Sequence, residues 1–315
     1  PHFQSRGAEV IGFLVKRLLW TAATMWVVFT ITFFLMRSVP GGPFDGERKL
    51  DPEIKRNIES RYGTNDPLPV QYFRELGNVC RGDLGPSYKL ADYTVNEIIA
   101  QGFPVSASLG TLALCFAIGL GLPVGILAAT RRGKLPDYGS MTIATIGMAL
   151  PEFFVAPLAI ILFVFVWPLF PAAGWGSWQQ LILPSVCLGL PYAAYIARLT
   201  RTGMLDVLSQ DYIRTAHAKG LAPRDVVLRH ALKGAMLPVV SFLGPATAGI
   251  LTGSLIEEAI FAIPGLGIHF VQSAQQRDYT LAMGLVLLYF LLLSLMNLVV
   301  DVLYKLLDPR VRIDS

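Results

Sequence analysis

Residues 211–238 read DYIRTAHAKGLAPRDVVLRHALKGAMLP, a basic segment set between long apolar stretches at 180–197 and 237–256. Tyr212, Thr215, Ala216 and Lys219 recur at helical spacing, which predicts a short surface helix. Gly220 can take the left-handed conformation that stops a helix, and Pro223 stands where a second helix can begin. The expectation is helix, turn, helix within a loop spanning 198–236. Arg198, Arg201, Arg214, Lys219, Arg224, Arg229 and Lys233 outnumber Asp206, Asp211 and Asp225. Such an excess of Lys and Arg in a short loop between spans places it in the cytoplasm.

Outward from this segment the chain is apolar. Hydrophobic residues make up 53% and charged residues 15% of 315, and the mean hydropathy is +0.53, too apolar for an ordinary soluble domain. Apolar stretches fall at about 10–36, 106–129, 138–169, 180–197, 237–256 and 281–306. Each is near or above the ~20 residues that cross a bilayer. The predicted fold class is therefore an all-α polytopic membrane protein with six spans, occupying 10–315. Residues 1–9, which open Pro1-His2-Phe3-Gln4-Ser5, read as a leader or tag-derived start. The first apolar run is longer than a signal-peptide core, so it is expected to remain as an anchor.

Six spans put Arg131, Arg132 and Lys134, the 198–236 loop, and Lys305, Arg310 and Arg312 on one side; Lys16 and Arg17 agree. Both termini are therefore expected on the cytoplasmic side. The net charge of +4 is then a topology signal and implies no nucleic acid. Cys80, Cys115 and Cys187 are scattered and support neither a disulfide framework nor zinc. His217 and His230 have no second ligand at metal spacing, so no metal is assigned.

Between spans one and two, residues 39–103 turn abruptly polar and are expected to form an inserted extracytoplasmic subdomain. Asp51-Pro52-Glu53 predicts a helix start. Asp66-Pro67-Leu68-Pro69 predicts the end of that helix and the start of another around Gln71-Tyr72-Phe73. Gly119, Gly121 and Gly125 lie inside the second span, where small residues let helices approach. On span six, Asn297, Asp301 and Lys305 repeat every four residues and read as a structural set.

Arg214-Thr215-Ala216, then Lys219-Gly220, then Leu237-Pro238 resemble the coupling loop of ATP-binding-cassette importer permeases. Arg214 and Thr215 stand where the wider family has Glu and Ala, a departure that resembles the peptide-permease branch. Pro40-Gly41-Gly42-Pro43 resembles that branch too, while Gly46-Glu47-Arg48 and Asp83-Leu84-Gly85-Pro86-Ser87 are similar to its oligopeptide B-type subunits. The closing Asp308-Pro309-Arg310-Val311-Arg312 is also similar to the family's. The resemblance implies one membrane subunit of a peptide importer. Its implied partners are a second permease in a heterodimer, two ATP-binding subunits and an extracytoplasmic peptide-binding protein. The chain contains no Gly-x-x-x-x-Gly-Lys-Ser/Thr sequence, so ATP and Mg are expected on the partner subunits and no cofactor here.

Asp211, Tyr212, Arg214, Thr215, Ala216, Lys219, Gly220 and Leu221 would meet the ATPase, with Gly220 allowing the turn and Ala216 and Ala218 leaving room for docking. The alternative is a solvated basic loop on anionic headgroups. Glu257, Glu258, Phe261, Pro264 and Gly265 form a second marker similar to the family's. They read either as an outer gate or binding-protein contact, or as the hairpin into span six. Glu152 follows Pro151 about fourteen residues into span three, ~20 Å along a continuous helix. It reads as a translocation-path acid or as an acid paired within the bundle or facing trapped water. No nucleophile or acid-base set stands out, so no enzymatic activity is expected. An ATP-independent channel or secondary transporter remains the alternative in the residues alone, resting on Glu152 and Asp301.

Overall fold

The computed structural model describes residues 2–39, 41–44, 52–90 and 92–307. The motif residues Pro40, Gly46, Glu47 and Arg48, the helix-start residue Asp51 and the closing run Asp308-Pro309-Arg310-Val311-Arg312 lie outside the described residues. The helices follow in the order α1 (His2–Ser38), α2 (Pro52–Tyr62), α3 (Leu68–Cys80), α4 (Val95–Thr130), α5 (Leu135–Ala149), α6 (Glu152–Ile160) and α7 (Trp178–Leu208). Then come α8 (Asp211–Ala218), α9 (Pro223–Asp225), α10 (Leu232–Ala235), α11 (Leu237–Leu251), α12 (Leu255–Ile260), α13 (Leu266–Gln275) and α14 (Tyr279–Leu307). π-helical turns at Ile161–Val166 and Val226–Ala231 extend α6 and join α9 to α10.

Among the described residues, five stretches are long and apolar enough to cross a membrane: Val15–Ser38, Val95–Thr130, Trp178–Leu208, Leu237–Ile260 and Tyr279–Tyr304. The sixth is not the continuous span the sequence predicts over 138–169. α5 and the α6 stretch through Val166 meet at 104°. Leu150 is extended, with φ −75 and ψ 127, because the ring of Pro151 disfavours helical backbone in the residue before it. Glu152 follows this elbow directly, so the ~20 Å expected along a continuous helix is run by α5 alone and the chain turns where that acid sits.

The fold divides into two compact units, of which one takes in α1, α2, α3, the start of α4 to Phe103, α13 and α14 to Ser294. Described residues of the 39–103 stretch, among them Tyr72, Leu76 and Val79, pack within this unit against α1 and α14. Phe29, Phe33, Met283 and Leu287 form a core against which Tyr72 packs. Tyr72 lies edge-on to both phenylalanines. Arg37 lies 3.6 Å over the Phe33 ring, donates to Gln71 Oε1 at 3.1 Å and pairs with Glu75 at 2.5 Å. Burial pushes the Glu75 carboxyl above its ordinary range, against the opposing pull of Arg37.

α2 stops at Tyr62, ahead of the predicted stop at Pro67, because Gly63 adopts φ +63 and ends it first. The Asp83–Ser87 motif closes on Asp278, whose Oδ2 accepts from the backbone N–H of Tyr88 at 3.1 Å and of Lys89 at 3.2 Å, and from Ser87 Oγ. Its Oδ1 accepts from Leu281 N–H at 3.2 Å, so one buried carboxylate both caps α14 and pins the loop.

The other unit takes in α4 from Pro104, α5 to α12, and α14 from Leu295. Small residues let its backbones approach. A Cβ on Gly121 would lie 2.7 Å from the Ala193 carbonyl oxygen, and one on Gly125 would lie 2.5 Å from that of Ala197. Gly119, expected to share this role, has nothing within 4 Å. Asn297 backs onto Gly244, whereas the side chain of Lys305 lies outside the described residues.

Candidate functional site

The segment after α7 has the predicted helix, turn, helix form. α8 runs from Asp211 to Ala218, Gly220 turns at φ +76, and α9 opens at Pro223. The Gly220 N–H donates to His217 O at 2.9 Å and the Leu221 N–H to Ala216 O at 3.4 Å, so the turn satisfies carbonyls that the helix end leaves open. One side of the segment is apolar and folds back: Ile213, Ala216, Val226, Ala231 and Ala235 pack with Met204 of α7 and Ala129 of α4. Burying Ile213 and Val226 stabilises this fold-back by roughly 1.5–3 kcal/mol each. At its far end a Cβ on Gly203 would lie 2.6 Å from the Ala235 carbonyl oxygen, so α10 is seated directly on α7.

The opposite side carries Asp211, Tyr212, Arg214, Thr215, Lys219, Gly220 and Leu221, all exposed. Arg214 and Asp211 pair at 3.5 Å with both side chains in the open. Ala216, expected on this docking face, is instead 6% exposed and faces the core. At i+3 from Ile213 it shares the buried stripe, and its small size serves packing within the segment. Ala218 is exposed, as expected.

The second marker is built differently. α11 ends at Leu251, Thr252 and Gly253 break the helix, and α12 restarts with Ser254 as its N-cap. This puts Glu257 and Glu258 in the first turn of α12, at 0% and 1% exposure. Glu258 Oε1 accepts from Ser106 Oγ at 2.7 Å, and a Cβ on Gly265 would lie 2.5 Å from that carboxylate. Glu257 accepts from Ser254 Oγ, while its Oε1 is buried without a hydrogen-bond partner among the described residues. Phe261 is buried, its carbonyl accepting from Gly174 N–H at 2.8 Å; Pro264 is exposed. The two carboxylates therefore do not line an open mouth, since the break after Leu251 turns them into the core. Glu152 is half-buried in the first turn of α6, where helix N–H groups favour an acid.

Sequence reasoning missed a bidentate pair between α5 and α7. Arg201 Nε donates to Asp137 Oδ1 at 2.5 Å and Nη2 to Oδ2 at 2.9 Å. Asp137 Oδ2 also accepts from Gly133 N–H at 2.9 Å. The signal was present in Pro136-Asp137, an acid in the first turn after a helix-starting proline. Hydropathy alone opens this stretch at Tyr138, one residue past the acid, and the charge excess of the 198–236 loop gives Arg201 no particular neighbour. Among the described residues, no group of three His, Cys, Asp or Glu could hold a metal ion.

Apolar spans joined by an amphipathic segment folded onto the fourth span define a multi-pass membrane protein. Residues 121–313 match the family described as binding-protein-dependent transport system inner membrane component. The chain is 46% identical over 305 residues to the oligopeptide transport system permease protein OppB of Escherichia coli (strain K12), covering 96% of this chain and 100% of that protein. It is 44% identical over 301 residues to the dipeptide transport system permease protein DppB of Bacillus subtilis (strain 168), covering 96% and 98%. A solved structure of the MetNI methionine ABC transporter, inward facing, matches at TM-score 0.55 and 21% identity over 67% of this chain and 96% of that one, a likeness of fold. The chain belongs to the inner-membrane permeases of ATP-binding-cassette importers, in their peptide-permease branch. That membership removes the ATP-independent channel left open by the residues alone.

Proposed function

We propose that this chain forms half of the path by which short peptides enter a bacterial cell, driven by ATPase subunits that dock on the exposed side of α8. Identity of 46% over 305 residues, spanning the whole of an oligopeptide permease, carries the cargo reading. The dipeptide permease at 44% widens it to short peptides as a class. A second permease would complete the path, two ATP-binding subunits would supply ATP and Mg, and an extracytoplasmic binding protein would deliver the peptide. The chain itself needs no cofactor and catalyses no reaction in this reading, and both its termini lie with α8 in the cytoplasm.

Physical chemistry supports α8 as the docking element. Asp211, Tyr212, Arg214, Thr215 and Lys219 offer polar and aromatic groups to a partner and Leu221 an apolar one, while the buried stripe ties α8 to α7. Closure of two ATPases around ATP would draw two such helices together and tilt the spans behind them. The test is uptake of radiolabelled tri-alanine by vesicles holding the assembled complex and its binding protein. Accumulation that requires ATP and is displaced by other short peptides is expected; accumulation indifferent to ATP overturns the reading.

A further inference from the structure

We propose that Asp137 and Arg201 are positioning residues: they form a rigid joint that carries movement of the α8–α10 segment into the elbow at Leu150 and Pro151. The inference rests on the proposed ATPase docking and adds the route by which force leaves it. All of its parts lie within one compact unit.

The segment is seated on α7 at Gly203, where the Ala235 carbonyl leaves no room for a side chain. Arg201 lies two residues away on the same helix, so a push on α10 reaches it without passing through a flexible linker. The guanidinium then grips Asp137 through two parallel hydrogen bonds of 2.5 and 2.9 Å, which fix orientation as well as distance. Asp137 cannot swing, because it is 1% exposed and also accepts from Gly133 N–H at 2.9 Å in the first turn of its own helix.

From Asp137 to Leu150, α5 is an unbroken rod of ~20 Å, at ~1.5 Å per residue. An apolar cleft of ≈ 340 Å³ runs beside it from Ser140 to Leu150, lined across by Leu120 and Val124 of α4 and Ala193 and Ala197 of α7. A rod with space along its flank, clamped at one end and jointed at the other, turns about its ends as a lever. At the far end the chain bends by 104° into α6, which carries Glu152 and packs through the fully buried Ala156 into the core that holds Phe261 and Ile263. Thus the ion pair ties α5 to α7 at the end nearest the docking segment.

A simple stabilising pin would occupy the same place, and the two roles separate under substitution. Apolar residues of similar size can replace a buried ion pair without loss of stability, yet they cannot hold a direction as a bidentate pair does. The assembled complex carrying Asp137→Leu with Arg201→Met, and separately Arg201→Lys, is placed in vesicles of phosphatidylethanolamine and phosphatidylglycerol. Tri-alanine taken up per ATP hydrolysed is measured beside the Tm and ATPase recovery of each complex. The joint predicts at least a tenfold fall in peptide per ATP for both variants, with Arg201→Lys still assembling to wild-type yield. A ratio within twofold of wild type in either assembled variant overturns it, including the case in which uptake and hydrolysis fall in proportion. If the double variant does not assemble, Arg201→Lys decides alone, since it keeps the charge. Wild-type complex that takes up no peptide with ATP removes the function reading and the joint with it, whereas working wild type with a working variant removes only the joint.

Discussion

Two runs of charged residues beside membrane spans look alike in sequence and are built in opposite ways. In 211–221 the charged and polar side chains face outward and the apolar ones fold onto α7. In 257–265 the acids and Phe261 face inward, leaving Pro264 and Ala262 at the surface. The difference comes from how each helix begins. α8 follows Gln210 into solvent, whereas α12 restarts after a break whose N-cap, Ser254, turns the first-turn acids onto α4 at Ser106. A carboxylate in the first face can meet a partner; one in the second first has to satisfy its own core.

Gly220→Asp strikes that contrast hardest. Nothing lies within 4 Å of Gly220, and Asp tolerates left-handed backbone, so stability is expected to change by about 1 kcal/mol or less while ATP-dependent uptake falls more than tenfold. Wild-type uptake by this variant would remove the coupling role of the turn. Glu258→Ala acts on the other run: it removes the buried hydrogen bond from Ser106 Oγ and leaves a hole beside Gly265, at a cost of about 2–4 kcal/mol. Thermal unfolding in detergent checks this, and an unchanged midpoint would mean that the run is not structural.

A comparison within α8 comes next. Ala216→Leu overpacks the core and is expected to cost about 1–3 kcal/mol, while Ala218→Leu leaves stability unchanged and weakens recovery of the ATPase. Equal effects of the two would dissolve the distinction between buried and docking sides. Smaller still, Glu152→Gln is expected to slow uptake of lysine-containing peptides about two- to threefold relative to neutral ones, less than 1 kcal/mol of differential interaction. Equal slowing of both would assign Glu152 to structure. Arg214→Ala should change stability least, since exposed pairs contribute about 0.5 kcal/mol or less.

What the sequence could reveal was local. Gly220 and Pro223 were legible because their backbone chemistry depends on no distant neighbour, and the spans were legible because a bilayer demands length and apolarity. The elbow at Leu150 was not, because Pro151 lies in an apolar run with no polar break to announce a turn. Burial of Glu257 and Glu258 escaped notice because charge reads as exposure until the Ser106 hydroxyl and the Gly265 approach are known. The Asp137–Arg201 pair joins residues 64 apart in the chain, a distance no motif spans.

The central claim is that the exposed side of α8 meets an ATPase. A photoreactive residue at Tyr212, which is 51% exposed, with Ile213 as the buried control, tests it most directly in native membranes, the adducts being identified by mass spectrometry. The account predicts an adduct from position 212 to a protein carrying a Gly-x-x-x-x-Gly-Lys-Ser/Thr sequence and none from 213. Adducts to phospholipid alone, or equal adducts from both positions, would contradict it.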